Sequence, residues 1–294
     1  MSKTSPPSGL PFSSPHLDVA QTAATAAGEI LKKHFSKLAD ISLNSADKQS
    51  WDLLTVADVE AEKEIINTIK QSFPGHDFLA EESTGDTPQD TNADHLWVID
   101  PLDGTNNFAH GIPHFAVSIA YYEKSKPVLG VIYNPISNDW YIAGQGRGAW
   151  HNGVRARVNE HDQLSQTMIG VGFYYDRGEM MRATLAAVNK LFDQQIHGIR
   201  RMGTAALDLV HVGLGRFGGY FEYKLSPWDF AAGILFVEEA GGRVTDCAGA
   251  PLPLTKSTIL ASNKLLHDPI LQIVKRHQIN CFINPTRNTK PNCR

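Results

Sequence analysis

The chain has 294 residues, 42% hydrophobic and 20% charged, a balance that suits a soluble globular enzyme or binding protein with a large core in one or two domains. Its formal net charge of −4 leaves no basic footprint for direct nucleic-acid binding or for an anionic membrane surface. The three cysteines, Cys247, Cys281 and Cys293, are odd in number, widely spaced and without CxxC, which argues against a disulfide framework and for a reducing cytoplasm.

Residues 1–15 are rich in Ser and Pro and lack the apolar core of a secretion signal, and no run approaches the 18 apolar residues of a membrane span. They read as a flexible tail. From His16 the apolar residues Leu17, Ala20, Ala24, Ala27, Leu31 and Phe35 fall in steps of three and four, the mark of an amphipathic helix. A polar stretch over 44–50 follows, and then a second helix with Ile65, Ile66, Ile69 and Phe73 on its inner side, stopped by Pro74-Gly75. Thr55 and Asp58 have capping-box spacing, which places the start of that helix at Thr55 and gives both residues a structural role. Phe78 to Ala80 is a brief strand that ends on Glu81-Glu82-Ser83, and residues 83–95 read as a solvated loop.

Leu96 to Ile99 is a short apolar run of the kind that forms a buried strand, and it stops at Asp100-Pro101. Asp103 comes three residues after the first acid, and Gly104-Thr105 then allows a tight turn with a helix starting near Asn106. Two carboxylates held that close repel each other unless a cation lies between them. With no His or Cys spaced as ligands, the donors select a hard cation such as Mg²⁺ over Zn²⁺. Free N–H groups at Gly104 and Thr105 offer a seat for phosphate. The competing reading of these few residues alone is a surface turn.

Phe115 to Tyr122, Val128 to Tyr133 and Trp140 to Ala143 read as consecutive strands, with a tight hairpin at Asn152-Gly153. Gly144, Gly146 and Gly148 are spaced GxGxG between strands, the wrong spacing and context for a dinucleotide site. A strand over 168–173, a helix from Glu179 to Phe192, a further strand and helix through 200–212 and a strand over 217–225 follow. Pro227 opens a helix running to about Ala240, with Asp229 placed as its N-cap. A strand around Thr258 to Ala261 and a helix from Lys264 to about His277 end the ordered part, and there is no internal repeat.

Leu79-Ala80-Glu81-Glu82-Ser83, Trp97 to Thr105 and Trp228 to Gly233 occur in this order and together resemble the inositol monophosphatase family. The likeness runs from about His16 to about His277, through Asp52-Leu53-Leu54-Thr55 and Asp58, Gly130 to Pro135, Gly203 to Ala206 and Glu239 to Gly242. Ala80 stands where the family commonly has Gly, and Leu102 where Ile or Leu is usual. The resemblance implies an α+β fold, a layered α-β-α-β-α sandwich, in one phosphatase domain over 16–277. Its metal-binding half is about 16–160 and its second half about 161–277, with tails at 1–15 and 278–294.

The resemblance also implies a Mg²⁺-dependent, lithium-sensitive phosphatase with two or three ions, often a homodimer, acting on a small phosphorylated substrate. Matched by position, Glu81, Asp100 and the Leu102 carbonyl resemble the ligands of a first ion, and Asp100, Asp103 and Asp229 those of a second, with a third near Glu81. Thr105, assisted by Asp52, resembles the pair that helps Glu81 orient and deprotonate water. By the same match the Gly104 and Thr105 N–H groups would hold phosphate, Glu222 would take a sugar or polyol hydroxyl, Ala205 would give a backbone contact, and Asp103 and Asp229 would also face the substrate.

Hydrolysis of a phosphate monoester is very slow without catalysis, so charge stabilisation and in-line positioning must remove most of the barrier, and a metal pair does both. No Ser-His or Cys-His grouping is at hand for a covalent route. Inositol monophosphate or a related small sugar or polyol phosphate is the first expectation. Fructose 1,6-bisphosphate, 3′-phosphoadenosine phosphates and histidinol phosphate are alternatives. Lys224 and the Arg200-Arg201 pair face either a second anionic group or solvent. A non-catalytic regulatory protein on the same fold, partnering RNA-processing or transcription machinery, is the alternative from another class.

Overall fold

The three- and four-residue apolar steps after His16 form a helix, α1 (Pro15–Leu38), with Leu17, Ala20, Ala24, Ala27 and Leu31 buried along one side. A computed structural model describes Pro7 and residues 9–38, 46–84 and 91–278; the side chains of 46–53 and Thr84 lie outside the described residues, as do Cys281 and Cys293. The second helix, α2 (Ala46–Ser72), begins well before Thr55, so Thr55 and Asp58 lie in its interior and the expected capping box is not its start. Ala46, Lys48 and Gln49 are good helix formers, and no Gly or Pro stops the helix there.

The first half continues with β1 (Asp77–Ala80), α3 (Glu81–Thr84), β2 (His95–Asp103), α4 (Thr105–Ala109), β3 (Ala116–Glu123), β4 (Lys126–Asn134), β5 (Asp139–Gly144), β6 (Gly148–His151) and β7 (Val154–Arg155). These seven strands form one sheet in sequence order, with β1 parallel to β2 and the rest antiparallel. The Asn152-Gly153 hairpin joins β6 to β7 as expected. The Gly146 and Gly148 N–H groups each donate to the Glu239 carboxylate at 2.7 Å, so the GxGxG loop holds a side chain of its own protein.

The second half comprises β8 (Met168–Val171), α5 (Glu179–Phe192), β9 (Gly198–Arg200), α6 (Ala205–Gly213), β10 (Gly219–Leu225), α7 (Pro227–Glu239), β11 (Arg243–Thr245), β12 (Ser257–Ser262) and α8 (His267–His277). Its sheet has the order β11-β12-β10-β8-β9, with β8 parallel to both neighbours and β12 antiparallel to both of its own. Sequence periodicity gave no sign of β11, which at three residues is too short to show one.

Four apolar seams separate five layers, the α-β-α-β-α sandwich. Trp97, Ile99, Val131 and Tyr133 pack outward on α1 and α2, while Leu96, Val98 and Ile132 pack inward on α6 and α7. This is the period-2 alternation of strands buried on both faces. The other face of α6 and α7 meets Tyr220, Ile259 and Ala261 of the second sheet, whose far side places Phe221, Tyr223 and Leu260 against α5 and α8. Leu10 and Phe12 pack on the outermost seam, ahead of α1. At Gly130 a Cβ would stand 2.7 Å from the Ala232 carbonyl oxygen, so only glycine lets α7 lie this close to β4.

Cys247 is buried with its thiol directed at the Ile259 carbonyl, 3.2 Å away, an ordinary core thiol. Among the described residues no helix is long and apolar enough to cross a membrane.

Candidate active site

The apolar run of β2 does not end at Asp100. The strand continues to Asp103 with a one-residue irregularity, because Asp100 pairs with Ser118 and Asp103 with Ala116. Pro101 has no N–H to give to the ladder, and the extra residue is a β-bulge. In a regular strand residues three apart face opposite sides. Here the bulge resets the alternation, so Leu102 joins Ile99 in the outer seam while Asp100 and Asp103 both line one cavity of about 440 Å³.

Glu81 comes to the same cavity from the end of β1, which runs parallel to β2 and pairs Ala80 with Ile99. Asp229 arrives on α7. Expected as the N-cap, it is not: Ser226 is the cap, and Asp229 stands three residues in, closing a capping box by accepting the Ser226 N–H at 2.7 Å. Its remaining oxygen is left for the cavity. Glu81, Asp100 and Asp229 each offer an oxygen within 4.8 Å of the other two. Asp103 accepts the Ala206 N–H at 2.7 Å and the Ala205 N–H at 3.3 Å, so the Ala205 N–H expected to meet substrate is engaged by Asp103.

The charges are under strain without a counter-ion. Burial, followed by repulsion from Glu82 and Asp103, raises the Glu81 carboxyl to about 7. Burial and then Glu81 and Asp103 push Asp100 and Asp229 well above the usual carboxylate range. Asp103 rises only to about 6, because the burial cost is offset by its hydrogen bonds at the start of α6.

Gly104 has φ 101°, a left-handed turn into α4, so that helix starts at Thr105 rather than Asn106. The Thr105 hydroxyl donates to the Leu102 carbonyl at 3.3 Å. Asp52 lies in α2 with its side chain outside the described residues. Asp58 is buried with Oδ1 lacking a hydrogen-bond partner among the described residues, and burial followed by Glu81, Glu82 and Glu62 drives its carboxyl well up.

Glu62, a residue the sequence reading passed over, is buried one helical turn after Asp58. It accepts the Glu82 N–H at 2.7 Å and the Ser83 N–H at 2.8 Å, which fixes the chain just after Glu81. The available signal was two acids on the face of α2 that also carries Ala57, Ala61, Ile65 and Ile69.

Opposite these acids, β10 has a second bulge: Glu222 pairs with Ile259 and Leu225 with Ser257. Glu222 is buried, accepts the Tyr220 hydroxyl at 2.7 Å, and is raised to about 7 by burial against the pull of Tyr220 and Arg201. Lys224 and Arg201 line the cavity as well, whereas Arg200 does not, its guanidinium bonding to the Ile199 carbonyl.

A donor set of three converging carboxylates, Asp100 buried and Glu81 and Asp229 half-buried, all oxygen with no nitrogen or sulfur, fits a hard divalent cation such as Mg²⁺. Fold and site together define a layered α+β protein with a carboxylate centre in a cavity lined from both of its halves. The inositol monophosphatase family matches residues 13–278. The chain is 39% identical over 265 residues to the Nus factor SuhB of Pseudomonas aeruginosa, covering 90% of this chain and 97% of that one. It is 38% identical over 261 residues to the inositol-1-monophosphatase of Mesorhizobium japonicum, covering 88% and 96%. The structure of an inositol monophosphatase from Anabaena (Nostoc) superposes with a TM-score of 0.77 at 37% identity, over 89% of this chain and 95% of that one. The chain belongs to the inositol monophosphatase family.

Proposed function

We propose that the protein is a Mg²⁺-dependent phosphomonoesterase whose substrate is inositol monophosphate or a related small sugar or polyol phosphate. The observation that carries this reading is the convergence of Glu81, Asp100 and Asp229 oxygens within 4.8 Å of one another. Glu81, Asp100 and the Leu102 carbonyl would hold one ion, Asp100, Asp103 and Asp229 a second, and Glu81 would border a third. Bound there, Mg²⁺ lowers the pKa of water and offsets the charge that develops on the leaving oxygen.

The chain's own groups do the rest. Glu81, facing the cavity from the end of β1, is placed to take the proton of the attacking water. Thr105 orients that water. Its acidic partner in this reading is Asp52 of α2, as the resemblance implies. Gly104 and Thr105 N–H groups steady the phosphate, and Glu222 accepts a ring hydroxyl through the oxygen that Tyr220 leaves free. Lithium inhibition, a homodimer and a cytoplasmic setting belong to the same reading and are supported by the family resemblance alone.

The naming of the Pseudomonas relative as a Nus factor favours a second reading, in which this chain has a Nus-factor role beside or instead of catalysis. Phosphate release from inositol 1-phosphate, fructose 1,6-bisphosphate, a 3′-phosphonucleotide and histidinol phosphate, with and without Mg²⁺, separates the two. Mg²⁺-dependent release from any of the four supports the enzyme. Silence on all of them by folded protein supports the second reading.

A further inference from the structure

The carboxylates of the proposed metal centre come from β1, β2 and α7, but the same cavity has a wall of opposite sign built from the second sheet. Arg201 follows β9, Lys224 lies on β10 and Lys256 precedes β12, and all three line the cavity. Tyr220, Glu222 and Lys224 face the cavity by alternation while Phe221 and Tyr223 face the opposite seam, and the extra residue of the β10 bulge brings Leu225 to the cavity side as well.

Neither Arg201 nor Lys224 is spent on a structural ion pair among the described residues. The Lys224 Nζ instead sits 4.3 Å from the centre of the Tyr174 ring, which steers the ammonium without neutralising it. Arg201 is held in place through its neighbour: the buried Asn107 amide donates to the Met202 carbonyl at 2.9 Å and to the His114 carbonyl at 2.7 Å. Asp208 and Glu222 both feel the Arg201 charge, and burial raises both carboxyls against it. Lysine and arginine aimed into a cleft beside a phosphate-handling site are a recognition device for a further anion.

We propose that Lys224 and Arg201 form a subsite for a second anionic group on the substrate, so that the enzyme prefers phosphate esters carrying another phosphate away from the bond that is cleaved. This rests on the phosphatase reading and, within small sugar and polyol phosphates, moves the preferred substrate from a monophosphate to a bisphosphate. Lys224 is a specificity-determining residue: it meets the distal anion and takes no part in the attack on phosphorus.

The test is a matched pair that differs only in the distal group, fructose 1,6-bisphosphate and fructose 1-phosphate, compared by kcat/KM in Mg²⁺ for the full chain. The wild type is expected to favour the bisphosphate by about tenfold, the scale of one charge-assisted contact. That preference should shrink as ionic strength rises and fall towards parity in Lys224→Gln, with Arg201→Gln as the second variant. A wild type with no preference, or a preference that survives both substitutions, overturns the subsite. If folded protein releases phosphate from neither sugar, the phosphatase reading has failed instead. Calorimetric affinities of the same pair, wild type against Lys224→Gln, then decide the subsite by the same ratio.

Discussion

The Asp103 carboxylate accepts the Ala206 N–H at 2.7 Å across 103 residues of sequence, so the start of α6 and the end of β2 are set by one side chain. The bond ties an acid of the first sheet to a helix that packs under the second. It also draws the acid's pKa back towards the ionised range. Asp103→Ala removes the acceptor, whereas Asp103→Asn keeps one oxygen. In denaturant unfolding with chelator present, Asp103→Ala is expected to be less stable than Asp103→Asn by about 1 kcal/mol. Equal stabilities would show that the contact does not hold α6.

Asp100 stands in both proposed ligand sets and is repelled by Glu81, Asp103 and Asp229 when no cation is present. Asp100→Asn should therefore do two opposite things. Turnover in Mg²⁺ is expected to fall roughly a hundredfold or more, since even the outer partners of metal ligands are worth about ten- to a hundredfold. The chelated protein should melt no lower than wild type, because one buried charge has gone. Near-normal turnover would remove Asp100 from the centre.

The pH dependence has a definite sign. Glu81 and Glu222 at about 7 and Asp103 at about 6 hold their protons more tightly in the folded chain than in the unfolded one. Their contribution to stability is thus full below the unfolded carboxylate values and is lost as pH rises through 6 to 7. Chelated protein should lose melting temperature from about pH 4 to pH 7. Mg²⁺ needs the ionised ligands, so the rise in melting temperature that it causes should grow over the same interval. A Mg²⁺ effect independent of pH would contradict these assignments.

Gly130 tests the packing that brings Asp229 to β2. Gly130→Ala forces a Cβ against the Ala232 carbonyl, backbone against backbone, and is expected to cost about 1–3 kcal/mol in unfolding free energy. A neutral effect would mean that α7 shifts easily, and with it Asp229.

Much of this was legible in the sequence, and the exceptions have physical causes. The Asp100, Asp103 and Asp229 stretches stood out because acids end apolar runs next to Pro and Gly, and the structure brings them together. Local rules failed where two residues satisfied them equally well. Asp229 has N-cap chemistry, but Ser226 before Pro227 has it too, and the helix took the earlier residue. Thr55 and Asp58 have cap spacing, yet nothing in the preceding residues stops a helix. The bulges at Asp100–Asp103 and Glu222–Leu225 had no signature beyond Pro101, since they arise from pairing with strands distant in sequence. Glu62 was hidden by its exposed-looking surroundings in a charged helix, and its burial depends on where α3 docks.

The most direct measurement is the anomalous scattering of crystals equilibrated with Mn²⁺ in place of Mg²⁺. The expected result is a peak within about 2.4 Å of oxygens from Glu81, Asp100 and Asp229, weakened in Asp100→Asn. A cavity with no such peak, at a Mn²⁺ concentration that supports full turnover in solution, would contradict the account.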